Sequence, residues 1–145
     1  MKIILTRTLT TIFFVLAIIH FYWALGGQWG FENVLPTNEQ GIKILNSKPT
    51  DSLIVGILLL IFGLVYLFSM NSLKNKILIR IQNIGLWSIP IIFVVRAMGD
   101  VKYVGFFKQI NGTVFADMDT KFYSPLCLII GLIGISLIKI NNKRC

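Results

Sequence analysis

Four long apolar stretches, almost free of charge, dominate this sequence. They cover about residues 9–27, 53–73, 77–97 and 122–140. A helix needs about 20 mostly apolar residues to cross the hydrocarbon core of a bilayer. None of the stretches alternates between apolar and polar positions as a half-buried strand would, and each is rich in Leu, Ile, Val and Phe on all sides. The stretches therefore predict four membrane-spanning helices.

The composition supports the membrane class. Of the 145 residues, 55% are hydrophobic and 14% are charged, whereas a soluble domain usually carries about 25% charged residues. This excludes an ordinary soluble domain, and the high hydrophobicity excludes a disordered basic tail. Residues 1–145 are long enough for one domain. Four short spans in one small domain predict an all-α fold, an integral membrane four-helix transmembrane bundle.

Local signals mark where the helices begin and bend. Ser124 followed by Pro125 predicts an N-cap and a proline at the first position of the fourth helix. Residues 49–52, Pro-Thr-Asp-Ser, predict a similar start for the second helix. Pro90 lies within the third span, and we expect it to kink that helix because proline cannot donate the backbone hydrogen bond.

The first span could instead be a cleaved signal peptide. Lys2 and Arg7 resemble a basic leader, and Ala24-Leu25-Gly26 loosely resembles a small-residue cleavage site. The bulky residues 20–23, His-Phe-Tyr-Trp, crowd the region just before that site. We therefore expect the first span to remain as a helix of the protein.

Basic residues are distributed unevenly between the two sides of the predicted bundle. With a cytoplasmic N-terminus, the inside segments hold eight basic residues and no acidic ones, namely Lys2, Arg7, Lys74, Lys76, Arg80, Lys139, Lys143 and Arg144. The outside segments hold six basic residues, Lys43, Lys48, Arg96, Lys102, Lys108 and Lys121, and six acidic residues, Glu32, Glu39, Asp51, Asp100, Asp117 and Asp119. The net charge of +8 thus lies on one side, so the positive-inside rule predicts that the N- and C-termini are both inside. The expected partner is the lipid bilayer; no basic patch of the nucleic-acid-binding kind is present.

No motif in the sequence predicts a cofactor, a metal site or a disulfide. Cys127 lies near the outer end of the fourth span and Cys145 is the last residue, so about 27 Å of mostly helical chain separates them. That distance is far beyond disulfide reach. There is no CxxC pair, phosphate-binding glycine loop, GxSxG turn or HExxH helix. We therefore expect no cofactor and no metal.

The two extracytoplasmic loops are longer than the inner connection. They run from about residue 28 to 52 and from 98 to 121, and loops longer than about 12–15 residues are usually functional or disordered. Both contain several aromatic residues, so we expect them to fold over the bundle as a lid. Disorder of residues 36–49 is the alternative.

Eight residues form a candidate ligand-binding site where the first, third and fourth spans meet these loops. They are His20, Tyr22, Trp23, Arg96, Asp100, Tyr103, Asp119 and Tyr123. His20 is the single histidine, and its usual pKa near 6.5 suits proton transfer at neutral pH. An ionisable residue within a span is a functional candidate. The alternative is an interfacial residue of an aromatic belt, bonded to a carbonyl or water.

Arg96 has two alternative roles. It can anchor the end of the third helix and pair with Asp100, four residues on, or with Asp119. It can instead reach into an apolar pocket and hold an anionic or polar headgroup, oriented by a carboxylate. Asp119 is accordingly either the partner of Arg96 or the cap of the fourth helix. Tyr103 and Tyr123 either supply hydroxyls or anchor the interface.

Three motifs make the chain resemble a known family. They are His20-x-Tyr22-Trp23-x-x-Gly26-Gly27, Arg96-x-x-Gly99-Asp100-x-x-Tyr103-x-Gly105-Phe106 and Asp119-Thr120-x-x-Tyr123-Ser124-Pro125-Leu126-Cys127. With these motifs the chain resembles, over nearly its whole length, the bacterial membrane family called domain of unknown function 3995. The resemblance implies a small, four-span, multi-pass protein of the bacterial cytoplasmic membrane. It carries no catalytic assignment.

Three functional hypotheses follow from these observations. The first is a protein that binds or moves a small hydrophobic or lipid-like ligand in an outward-facing pocket between the helices. The second is a membrane-embedded enzyme that uses His20 as an acid/base, oriented by Asp100 or Asp119, on a lipid-like substrate. The third is a structural or accessory subunit whose polar cluster locks the loops. A homo-oligomer is compatible with all three. Gly26-xxx-Gly30 matches a helix-pairing pattern, but it falls at a helix end and so does not support pairing strongly.

Overall fold

The structure is a computed structural model that describes residues 1–38, 40, 42–70, 75–100 and 102–142. Some residues used in the charge and boundary arguments lie outside these ranges. They are Glu39, Lys74, Lys143, Arg144, Cys145 and residues 71–73 at the end of the second predicted span.

The described chain is all helical, and the predicted fold class is confirmed. The elements are α1 (Lys2–Ala24), a short 3-10 helix (Phe31–Val34), α2 (Pro49–Phe68), α3 (Lys76–Met98), α4 (Val114–Met118), a π-helical turn (Asp119–Tyr123) and α5 (Ser124–Asn142). Four helices are long and apolar enough to cross a membrane: α1, α2, α3, and the continuous helix that α4, the π-helical turn and α5 form together. The described residues contain one isolated β-bridge, Thr37 to Lys43, and no strand. These four helices fit a multi-pass membrane protein.

The fourth span begins earlier than the sequence predicts. Ser124 is not an N-cap, because the helix already starts at Val114 and Thr113 caps it by accepting a hydrogen bond from the Ala116 N–H at 3.1 Å. Ser124 itself has helical dihedral angles. Its N–H bonds the carbonyl of Asp119, five residues back, which is the π-helical pattern. Pro125 has no N–H to continue an α-helical ladder, so the turn before it widens instead of ending the helix.

Other boundaries follow local chemistry. α1 starts at Lys2 rather than near residue 9, because Thr6 and Thr10 each donate to the carbonyl four residues earlier and so satisfy their hydroxyls within the helix. The predicted start of α2 is confirmed, since the Asp51 carboxylate accepts the Lys48 N–H at 2.8 Å. α3 runs continuously through Pro90.

Glycines set the closest helix contacts. α1 packs mainly on α2, and α3 packs mainly on α5. A Cβ atom at Gly63 would lie 2.5 Å from the Phe14 ring, and one at Gly134 would lie 2.4 Å from the Pro90 ring. Any larger residue at these positions would push the paired helices apart.

A small aromatic cluster joins the two helix pairs. Phe13 of α1 stacks on Tyr66 of α2 with ring centroids 5.7 Å apart, and meets Phe93 of α3 edge-on at 5.3 Å. Aliphatic side chains from α1, α3 and α5 complete the buried core, among them Leu9, Ile89, Ile130 and Leu137. The core thus lies between the α1–α2 pair and the α3–α5 pair, nearer the middle of the helices than the ends that carry the long loops.

Candidate functional site

A cavity of about 660 Å³ opens at one end of the bundle, where α1 and α3 end and the fourth span begins. We call it the loop-end cavity. Its wall consists of Leu16, Ile19, His20, Trp23, Trp29, Gly30, Asn33, Val34, Phe93, Arg96, Phe122, Tyr123, Leu126, Cys127 and Ile130. Most of these side chains are apolar or aromatic, and a few are polar, which is the usual composition of a small-molecule site.

His20 contributes a half-buried imidazole to this wall. Its Nδ1 lies 2.8 Å from the carbonyl oxygen of Leu16, one helical turn back. A carbonyl only accepts, so Nδ1 carries the proton and Nε2 of the neutral ring is left as an acceptor. The ring also packs edge-on against Trp23, with centroids 4.8 Å apart.

The first long loop closes part of the cavity. Trp23 is buried, and its indole N–H donates to the carbonyl of Trp29 at 2.9 Å. The following residues, including Asn33, form the 3-10 helix, and the Tyr123 hydroxyl lies 3.5 Å from the Asn33 carbonyl oxygen. Residues 29–33 of this loop therefore lie against the bundle, and two aromatic residues from different helices hold them.

Beside the cavity lies a cluster of charges, which we call the charge cluster: the half-buried Arg96 and the buried Lys108 and Asp119. Asp119 is fully buried and the Lys108 side chain is 3% exposed. Arg96 Nη2 donates to one carboxylate oxygen of Asp119 at 3.1 Å, and Lys108 Nζ donates to the other at 3.2 Å. Lys108 also bonds Thr120 Oγ1 at 2.5 Å. Asp119 is thus the partner of Arg96, one of its two predicted roles.

The second long loop folds back onto the end of α3 through the same carboxylate. The Gly105 N–H donates to Asp119 at 2.7 Å, and the Phe106 N–H donates to the Ala97 carbonyl at 3.0 Å. Gly99 and Gly105 both have φ near +80 to +90°, and their backbones pack directly on each other. No side chain would fit at either position.

The charge cluster contains one more positive than negative charge. Two cations, Arg96 and Lys108, share the single carboxylate of Asp119 within the described part of the chain. The Arg96 Nη1 atom is buried and has no hydrogen-bond partner among the described residues. A buried charged donor without a partner is costly. Because Arg96 also lines the cavity, its guanidinium can donate to a bound group there.

Asp100 and Tyr103 lie outside the cavity wall. Asp100 is exposed, and one of its carboxylate oxygens accepts the backbone N–H groups of Tyr103, Val104 and Lys102 at 2.6, 2.8 and 3.3 Å. These bonds, that from Tyr103 first, hold the pKa of the Asp100 carboxyl below its ordinary value. Asp100 therefore shapes the turn after α3 rather than pairing with Arg96.

The structure brings four of the eight candidate residues together around the loop-end cavity: His20, Trp23, Arg96 and Tyr123. Asp119 lies behind Arg96 in the charge cluster. Tyr22 is 45% exposed and covers Gly27, so it lies, with Asp100 and Tyr103, away from the cavity wall. Their roles in ligand binding stay predictions.

Sequence reasoning missed Lys108 and Asn33. Lys108 is counted only as one of several loop lysines, and no spacing signals that it folds inward. Asn33 lies in a polar loop without a motif. A lysine flanked by aromatic residues, Phe106 and Phe107, is the one weak signal that could have suggested burial.

The described residues contain no group of three or more His, Cys, Asp or Glu side chains that could hold a metal ion. His20 has its one described hydrogen bond to a backbone carbonyl. Neither Asp100 nor Asp119 orients it, because both carboxylates are bound to other groups. The site can therefore offer donors and an acceptor to a ligand, and His20 lines an open cavity without a carboxylate partner among the described residues.

Comparisons with known proteins give one match. The family described as "Protein of unknown function (DUF3995)" matches residues 13–134. No curated protein and no solved structure matches the chain. The matched region includes all three motifs and the whole wall of the loop-end cavity. Since the match covers most of the sequence, the chain belongs to the DUF3995 family of proteins of unknown function.

Proposed function

We propose that this protein binds, and in the cell moves or retains, a small hydrophobic or lipid-like ligand in the loop-end cavity. The observation that carries the proposal is the cavity itself, whose volume of about 660 Å³ lies within the usual range of ligand sites, roughly 300–1,000 Å³. Its wall is mainly apolar, with His20, Asn33, Arg96 and Tyr123 as the polar groups.

The orientation of the cavity belongs to the same proposal. Both termini would lie on the cytoplasmic side of a bacterial cytoplasmic membrane, because the eight basic residues of the predicted inner segments have no acidic neighbours in the sequence. The five of them that the structure describes, Lys2, Arg7, Lys76, Arg80 and Lys139, lie toward the helix ends away from the cavity. The cavity would then face outward at the level of the outer headgroups. A ligand could enter it from the outer leaflet without crossing the hydrocarbon core.

The hydrogen bonds support binding over catalysis. In the enzyme hypothesis Asp100 or Asp119 orients His20, and both of these carboxylates have other partners. A purely structural subunit would need the charge cluster but not the cavity. The test must therefore separate loss of the cavity from loss of the fold.

The test is mass spectrometry of lipids and metabolites that remain bound to the purified protein. Leu126 lines the cavity, whereas Leu132, on the same helix, is 54% exposed and lines no described cavity. Leu126→Trp should fill the cavity and lower the amount of copurified ligand at least several-fold. Leu132→Trp is the matched control and should retain the wild-type amount.

Thermal unfolding of the same samples completes the experiment. Removing a bound ligand lowers the apparent melting temperature by mass action, so adding back the extracted ligand should raise it in wild type and Leu132→Trp only. If wild type and Leu126→Trp carry the same lipids in the same amounts, the proposed function is wrong and the structural alternative is favoured.

A further inference from the structure

We infer that the ligand is an anionic amphiphile with one hydrocarbon chain, held by its head at Arg96 and by its chain in a groove along α1. This inference rests on the proposed function and names the class of ligand. Two independent features carry it: the unbalanced charge cluster and a second cavity that continues the first.

The charge cluster selects the charge of the head. Arg96 and Lys108 together carry one more charge than Asp119 neutralises; Lys108 and Asp119 are buried, and the Arg96 side chain is 36% exposed. Asp100 is the other described carboxylate that acts on Arg96, but it is exposed and bound to backbone N–H groups. A head with a single negative charge would balance the cluster, and a buried charge pair is favourable only when it is balanced and hydrogen-bonded.

The free donor selects where the head binds. Arg96 Nη2 is engaged by Asp119, whereas the buried Nη1 has no partner among the described residues. Arg96 lines the cavity and its side chain is 36% exposed, so a carboxylate or phosphate oxygen bound there can accept a charge-assisted hydrogen bond from the guanidinium. Nε2 of His20, an acceptor on the same cavity wall, can take a hydroxyl hydrogen of a larger head.

A groove extends the cavity along α1. We call it the α1 groove; it measures about 620 Å³ and is lined by Ile4, Arg7, Thr8, Thr11, Ile12, Val15, Leu16, Ile19, Phe122 and Leu126. Leu16, Ile19, Phe122 and Leu126 line both spaces. A molecule with its head at Arg96 can therefore lay its chain in the groove without leaving the protein surface.

The groove is long enough for one chain of a single leaflet, since its lining on α1 runs from Ile4 to Ile19, fifteen residues or about 22 Å of helix. Half of a hydrocarbon core about 30 Å thick is roughly 15 Å, which is about ten residues of helix. Counted from His20, ten residues reach Thr10, beside Thr11 of the groove. Val15 lies midway along this path and lines the groove but not the loop-end cavity.

Head charge is tested with three probes that share a sixteen-carbon chain: palmitate, palmitoyl-lysophosphatidylglycerol and the neutral hexadecanol. Delipidated protein in a neutral maltoside detergent at pH 8 receives each probe at equal mole fraction, and bound probe is measured by native mass spectrometry. Wild type should bind the anionic probes roughly tenfold to a hundredfold more tightly than hexadecanol, the effect of a hydrogen bond to a charged group. Preference for one of the two anions identifies the carboxylate or the phosphate as the source of the charge.

Two variants test the role of the cluster. Arg96→Gln removes the free donor and leaves Lys108 paired with Asp119, and Lys108→Met leaves Arg96 paired with Asp119. Both should reduce the preference for anions over hexadecanol to a few-fold at most, because each removes one positive charge from the cluster. If one variant does not fold, as judged by its elution and melting temperature, the other still decides the question.

Chain position is tested by chain length. Val15→Trp should weaken binding of palmitate but not of octanoate, because only the longer chain passes residue 15. Ile18→Trp, on an exposed face that lines no described cavity, is the matched control and should change neither.

Equal binding of hexadecanol and both anions to wild type overturns the inference and leaves the proposed function intact. Failure of all probes to bind overturns both.

Discussion

Asp119 connects three parts of the site through one carboxylate. It accepts from Arg96 on α3, from Lys108 in the second long loop and from the Gly105 backbone N–H. The residue lies on the π-helical turn and is fully buried. A carboxylate in such a place is stable only because all its charge is matched by donors. The loop, α3 and the fourth span are therefore held in one arrangement by this residue.

Asp119→Asn should destabilise the protein strongly. The change leaves Arg96 and Lys108 without an anion in a buried place, and breaking a buried pair typically costs about 3–5 kcal/mol. Asp117→Asn, two residues away on an exposed position, should stay within about 0.5 kcal/mol of wild type. The measurement is thermal or denaturant unfolding in neutral detergent. Equal stability of the two variants would contradict the role given to Asp119.

At the scale of elements, the turn after α3 depends on the close approach of two backbones. Gly105 has φ +90°, and a Cβ there would lie 2.4 Å from the Met98 carbonyl oxygen and 2.5 Å from Gly99 Cα. Backbone atoms cannot move aside as a flexible side chain can. The turn presents the Gly105 N–H to Asp119, so its geometry and the charge cluster support each other.

Gly105→Ala should cost more than a positive φ alone explains. Gly112 also has a positive φ, +83°, but a Cβ there would meet nothing within 4 Å. Gly112→Ala should therefore cost about 1–2 kcal/mol from the left-handed backbone, and Gly105→Ala about 1–3 kcal/mol more from overpacking. The free energies of unfolding of the two variants give the difference directly. If the costs are equal, the close approach is not a constraint.

At the scale of the whole molecule, the two ends of the helices differ in charge and in the structures they carry. The cavity, the charge cluster and both long loops lie at one end, where basic and acidic residues balance. The described basic residues of the predicted inner segments lie toward the other end, namely Lys2, Arg7, Lys76, Arg80 and Lys139. We propose that this asymmetry orients the bundle with the cavity outward, since basic residues near span ends are retained on the cytoplasmic side.

Labelling with a membrane-impermeant maleimide checks the orientation. In a chain with Cys127 and Cys145 replaced by Ala, Gln28→Cys places a thiol in the first long loop, and Met70→Cys places one after α2. Both positions are exposed. Intact spheroplasts should label Gln28→Cys, and Met70→Cys should react only after permeabilisation. The reverse pattern would mean that the cavity faces the cytoplasm.

Much of the fold could be read from the sequence because it depends on length and polarity alone. An uncharged apolar run of about 20 residues has one stable form in a membrane, a helix whose backbone bonds are all internal. The number of spans, the helical class and the approximate limits of α2 and α3 follow from that rule. The predicted helix start at Ser124 is wrong. In sequence, Ser-Pro at the start of a helix looks the same as Ser-Pro inside a continuous helix that forms a π-helical turn before the proline.

The sequence alone determined the membrane class, the four spans and the region of the site, because these depend on residue type and local spacing. Tertiary structure decided which groups meet. The four-residue spacing allows Arg96 to pair with Asp100. In the structure, backbone N–H groups of the turn bond the Asp100 carboxylate, and helix packing brings Asp119 to Arg96 instead. The inward turn of Lys108 and the loop-end cavity depend on contacts between distant segments, which no local pattern encodes.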